Sequence, residues 1–223
     1  ALASLAVIPF ITLLSFYFRN FKDPVYIDTP FWKTFKKLRR RKNIYKIFAI
    51  RTLLQFFYSW MVIYTPIYLH KYVGMDWKTI GIIFTIMLLP FILLQVPLGI
   101  LADKKYGEKE ILNIAIIIMA VTTMALSFIM TDTVWVWATL LFITRVGASS
   151  VGIMSESYFF KKVNESDSDI ISFFRMSTPF AYILGPALAS LTIFLVDFRF
   201  IFLVLGIIML TGLRYSLTIE DTR

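Results

Sequence analysis

The sequence is divided into apolar blocks, each about 17–25 residues long, which is what an α-helix needs to cross a hydrocarbon core about 30 Å thick. Seven blocks stand out, at residues 2–18, 44–69, 79–101, 111–130, 134–160, 170–196 and 198–217. They are apolar on most faces, not striped like the amphipathic helices of a soluble core. Strands do not fit, because lipid tolerates them only in closed barrels and these blocks are about twice the length of a barrel strand. The expectation is therefore an all-α membrane protein, a polytopic helix bundle with seven transmembrane helices. Charged residues make up 17% of the chain, against roughly a quarter in soluble domains.

Lysine and arginine set the orientation. The segment 19–46 holds ten, from Arg19 to Lys46. Counting alternate loops and the C-terminal tail, one side collects seventeen and the other three. The rich side is expected to be cytoplasmic, in a plasma or inner membrane, with the C-terminus inside. The net charge of +9 then needs no nucleic-acid partner. Within 19–46, Phe31, Trp32, Phe35 and Leu38 recur at helical spacing among the cations, as in an amphipathic helix lying on an anionic bilayer surface. Trp135 and Trp137 open the fifth block and read as interfacial anchors. The chain starts inside an apolar block without an initiator methionine, and reads as a piece of a longer protein.

Several chemistries are poorly supported. Without cysteine, and with His70 the one histidine, there is no disulfide, thiolate or multi-histidine metal set. No paired carboxylates or nucleophile–base pattern suggests an enzyme, and no cofactor or metal is expected.

Polar groups inside the blocks are the default functional candidates. Arg51 either reaches out to the inner interface or, with Gln55 and Tyr58 following at helical spacing, heads one mixed polar stripe such as a cavity-lining helix would carry. Arg145 lies mid-block, about 15 Å of helix from the nearer end, too deep to reach water easily. Eleven residues separate Arg145 from Glu156, and Ser149 lies between them; at about 100° per residue the three share one face. Arg175 enters the sixth block. Pro179, Gly185 and Pro186 interrupt it as candidate hinges.

Gly99-Ile100-Leu101-Ala102-Asp103-Lys104-Lys105-Tyr106-Gly107 resembles the loop motif of the major facilitator superfamily, with one residue added before Gly107 and Glu108 where a basic residue is usual. Arg145-Val146-Gly147 and Leu184-Gly185-Pro186-Ala187-Leu188 are similar to that family's arginine-bearing and Gly-Pro elements. The resemblance implies half of a twelve-helix fold. Residues 1–18 would be the last helix of the N-terminal half, 19–46 a basic cytoplasmic linker and 47–223 the C-terminal six-helix bundle. It also implies secondary active transport of a small solute by alternating access, coupled to protons or another ion and completed by the N-terminal half in the lipid bilayer. Asp103, Glu156 and Arg175, with Gly99, Lys104 and Gly107, would form the cytoplasmic loop motif and gate. The alternative is a membrane sensor or scaffold of the same fold that moves nothing.

Overall fold

A computed structural model describes residues 9, 11–17, 30–102, 104 and 107–220, the side chain of Glu165 excepted. Most of the first expected span (2–18), the stretch 19–29, Asp103, Lys105, Tyr106 and residues 221–223 lie outside that set. The chain divides into two compact units, Ala1–Phe31 and Trp32–Arg223. In the first, residues 11–17 are helical (α1), and Thr12 Oγ1 donates to the Pro9 carbonyl at 2.9 Å.

The second unit is all helix and turn among the described residues. After α2 (Phe31–Arg40) come α3 (Lys42–Lys71), α4 (Trp77–Leu93), α5 (Gln95–Leu101), α6 (Gly107–Leu126), α7 (Val134–Lys162), α8 (Ser168–Arg175), α9 (Ser177–Leu195) and α10 (Ile201–Ser216). Together α4–α5, α8–α9 and a short 3₁₀ turn before α10 complete six helical stretches long and apolar enough to cross a membrane. Asp76 caps α4, its carboxylate accepting from the Lys78 and Thr79 amides at 3.0 and 3.2 Å. Gly107 opens α6 at φ +78°, a left-handed conformation that favours glycine.

Small residues let the helices touch. A Cβ on Gly147 of α7 would lie 2.6 Å from the Met119 amide nitrogen and 2.9 Å from the Ala115 carbonyl of α6. One on Gly206 of α10 would lie 2.7 Å from the Ala120 carbonyl, also on α6. Helix α6 is thus held backbone-close on both sides, the membrane pattern in which packing replaces hydrophobic drive. The same logic seats α9 on α3, where a Cβ on Gly185 would lie 2.5 Å from Ser59 Oγ.

Two spans break, and proline explains both. Pro97 has no N–H for the Leu93 carbonyl, and α4 ends at Leu93; Pro179 has none for Arg175, and α8 ends at Arg175. Each break lies seven or eight residues from the same end of the bundle, since α5 has 7 residues and α8 has 8. Pro66, Pro90 and Pro186 lie within continuous helices, so a proline does not break every helix that holds one.

One aromatic anchor departs from expectation. Trp135 is 73% exposed, but Trp137 is fully buried, its indole N–H donating to the Thr131 carbonyl at 2.8 Å. Residues two apart on a helix point about 200° apart, so one faces out and the other in.

The amphipathic helix in the basic segment forms, and it docks on the bundle. Leu38 is fully buried and Phe35 lies 6.0 Å from Phe173 of α8. Arg41 grips Asp167 with two hydrogen bonds of 2.6 and 3.1 Å, and Lys37 reaches Asp169 at 2.9 Å and Asp167 at 3.3 Å. Burial opposes ionisation of Asp167, but hydrogen bonds from Arg41, the Asn164 amide and Lys37 outweigh it and hold its pKa below the ordinary 3.8. The hydrogen bond to Asp169 lifts Lys37 above 10.5 against its partial burial. The Asp167 contribution is complete above about pH 3.8 and fades as pH falls through its lower folded value, while that of Lys37 is complete below 10.5 and fades as pH rises through its higher one. The dock therefore holds across the neutral range. Asp167→Asn should release α2, at about 1.5–3 kcal/mol for hydrogen bonds to a charged group. Amide exchange over residues 32–40 should then speed up at least about tenfold, more than in Asp169→Asn; unchanged exchange would contradict the docking.

Candidate functional site

The polar residues of α3 and α7 form two stripes that face each other. The helices run antiparallel, so the basic end of one meets the matching end of the other. There Arg51 Nη2 of α3 lies 2.9 Å from the Glu156 carboxylate of α7, and the Arg51 guanidinium stands 5.6 Å from the centre of the Phe174 ring. About two turns deeper, Tyr58 donates to the Ala148 carbonyl at 3.1 Å. Gly152 lies beside it: an added Cβ there would lie 3.8 Å from the Tyr58 hydroxyl, an ordinary contact.

Arg145 sits at the deep end of this seam. It is 2% exposed, and its guanidinium lies over Phe57 and Tyr58 at 5.6 and 5.5 Å from the ring centres. Ring faces attract a cation but accept no conventional hydrogen bond from it. Nε and Nη2 of Arg145 have no hydrogen-bond partner among the described residues, nor does Nε of Arg51. An ionised group taken out of water costs several kcal/mol unless compensated. The seam therefore holds a buried cation with donors unspent. Tyr182 of α9 lies within electrostatic range of both Arg145 and Tyr58.

The other expected site residues divide. Gln55 is buried on the α3 stripe, and Ser149 is buried with its hydroxyl turned back to the Val146 carbonyl at 3.2 Å. Glu156 pairs with Arg51, while Arg175, exposed at the last residue of α8, makes no ion pair among the described residues. Asp103 lies outside them. Lys104 is exposed, and a Cβ on Gly99 would meet nothing within 4 Å of this chain. Pro179 stands at the break in its span, whereas Gly185 and Pro186 lie inside unbroken α9, with the Pro186 carbonyl accepting from Tyr64 at 3.2 Å.

Glu108, the departure from the loop motif, is 1% exposed and accepts from Ser157 at 3.0 Å, with Lys161 as its ion-pair partner. It ties the start of α6 to the end of α7. The aromatic faces of Phe57 and Phe174 were not anticipated, because nothing in an apolar run marks which ring lies under a cation from another helix. Among the described residues no group of histidines and carboxylates could hold a metal.

The sequence matches the Major Facilitator Superfamily over residues 1–163 and again over 47–221. No curated protein matches it. Among solved structures it is similar to one described as the POT family transporter PepTSo, with a TM-score of 0.68 and 15% identity, over 82% of this chain and 39% of that one. At that identity the likeness is one of fold, and the chain spans about 39% of the length of that transporter.

The Arg51–Glu156 pair generates a direct test. Glu156 is half exposed, so a double-mutant cycle with Arg51→Gln and Glu156→Gln, read by thermal unfolding in detergent, should give a coupling of about 0.5–1 kcal/mol. The same cycle between Arg175 and Glu156 should give none. Coupling to Arg175 in place of Arg51 would contradict the geometry.

Proposed function

Because the chain belongs to the Major Facilitator Superfamily and is an integral, multi-pass membrane protein, we propose that it forms the C-terminal half of a secondary transporter. That transporter moves a small solute by alternating access, and a proton or ion gradient drives it. The observation that carries the reading is Arg145, a buried cation with two donors unspent deep in a membrane-spanning helix. A scaffold has no use for such a group, and the membrane makes it expensive. A solute oxygen, or a carboxylate of the N-terminal half, would satisfy it for part of the cycle. Arg51, Gln55 and Tyr58 continue the same seam toward the basic end.

The two broken spans supply the moving parts. α4–α5 and α8–α9 bury 22% and 17% of their most apolar windows inside this chain, against 33–56% for the other four spans. These are the surfaces left for a second half to pack on, and both bend near the same end. Glu156 pairs with Arg51 at that end, and that pair would form the latch that closes it. The basic end is the cytoplasmic one on the loop-charge argument, with the basic segment and C-terminus inside.

The whole protein, reconstituted in vesicles, should take up a labelled solute faster when a proton gradient is imposed. The isolated 223-residue chain should insert but carry no flux, because half of the cavity wall is absent. Flux through the isolated chain would refute the half-transporter reading, and uptake indifferent to every imposed ion gradient would refute the coupling. A cysteine at exposed Lys78 should react with an impermeant thiol reagent from outside, and one at exposed Arg40 should not; the reverse pattern would overturn the orientation.

A further inference from the structure

At the basic end of the bundle, the end of α2, the start of α3 and the last turn of α10 border an open pocket of about 330 Å³. Arg39, Lys42, Lys46 and Arg214 line it, with Tyr45, Tyr215 and Thr218. Among the described residues no carboxylate lines it, and Arg39, Lys42 and Arg214 have no ion-pair partner. The nearest described acid in sequence, Glu220, is turned to Asn43 at 2.8 Å. Lys46 spends one donor on the Thr218 carbonyl, which fixes the floor. Four cations around one small pocket repel one another, and an anion with several oxygens would relieve that repulsion.

The position of the pocket decides which anion. α3 begins at Lys42 and α10 ends at Ser216, so the pocket straddles the level where apolar helix surface gives way to water. Two tyrosines stand at that level, as in membrane-interface belts. Leu203, Ile207, Leu210 and Arg214 follow at spacings of four, three and four residues, one face of α10. Ile207 is 53% exposed and the two leucines are half-buried, so an apolar strip lies below the cations. A free anion needs only the charges, whereas a phospholipid uses both features. We propose that this pocket holds the phosphodiester headgroup of an anionic phospholipid, with an acyl chain along the exposed face of α10. The site lies apart from the α3–α7 seam and does not depend on what, if anything, the protein transports.

Native mass spectrometry of the whole protein in detergent, titrated with phosphatidylglycerol, phosphatidylcholine or glycerol 3-phosphate, tests this. Phosphatidylglycerol should bind much more tightly than phosphatidylcholine, and glycerol 3-phosphate should displace it only weakly. At roughly fivefold per cation near an anionic headgroup, Lys42→Gln/Arg214→Gln should weaken phosphatidylglycerol about 25-fold. The charge-matched Lys71→Gln/Lys78→Gln, at the opposite end, should change it less than about twofold, while Lys42→Arg/Arg214→Lys keeps the charges and should keep most of the binding. Equal losses in the two glutamine variants would reduce the effect to net charge and overturn the proposal. Glycerol 3-phosphate binding as tightly as the lipid would overturn the lipid assignment in favour of a soluble phosphate compound.

Discussion

In a bilayer a backbone amide has no water to bond, so each span must satisfy its own peptide groups. Everything else in this chain follows from how strictly that condition is kept and where it is relaxed. It makes every membrane-crossing segment a helix. It also gives the two interruptions meaning: at Leu94 and at Met176 the ladder is broken by a proline three residues on, and α5 and α8 become short segments beyond the bend. Both lie in the spans that bury least inside this chain.

With no hydrophobic force to bring helices together in lipid, the bundle relies on close approach and on polar contacts at its ends. Gly147 and Gly206 let α7 and α10 reach the backbone of α6 from two sides. Glu108 with Ser157 and Lys161, and Arg41 with Asp167, tie loops together at the basic end. In these ties a partly exposed cation meets a buried carboxylate. The Arg145 site is different in kind. It places a cation over two aromatic rings at depth, with no ion-pair partner among the described residues.

Much of this was legible from residue order alone, for reasons that can be named. Apolar block length located the six described spans, because the bilayer fixes it. Helical spacing put Arg51, Gln55 and Tyr58 on one stripe, and Arg145, Ser149 and Glu156 on another, because a helix repeats rigidly. What residue order could not supply was that the two stripes face each other, since pairing between helices is decided by packing over the whole bundle. The same gap hid the Asp167 and Asp169 dock, more than 120 residues from its partners Arg41 and Lys37. The block at 111–130 began too late for a local reason. Gly107, Glu108, Lys109 and Glu110 look like loop, but α6 includes them, and Glu108 is buried on Ser157. Trp137 was misplaced because belt composition says nothing about which face of a helix a residue occupies.

The central claim is that Arg145 is retained at a cost to the fold because the transport cycle uses its charge. Replacing a buried, unpaired cation by an apolar residue of similar length is often neutral or stabilising, by up to about 1–4 kcal/mol where ion pairs have been replaced. The decisive measurement is solute uptake by the whole protein carrying Arg145→Met, in vesicles, using protein first shown to melt no lower than the parent. The account predicts a folded, equally or more stable protein whose uptake is lost. Uptake at the parent rate from that stable variant would contradict it.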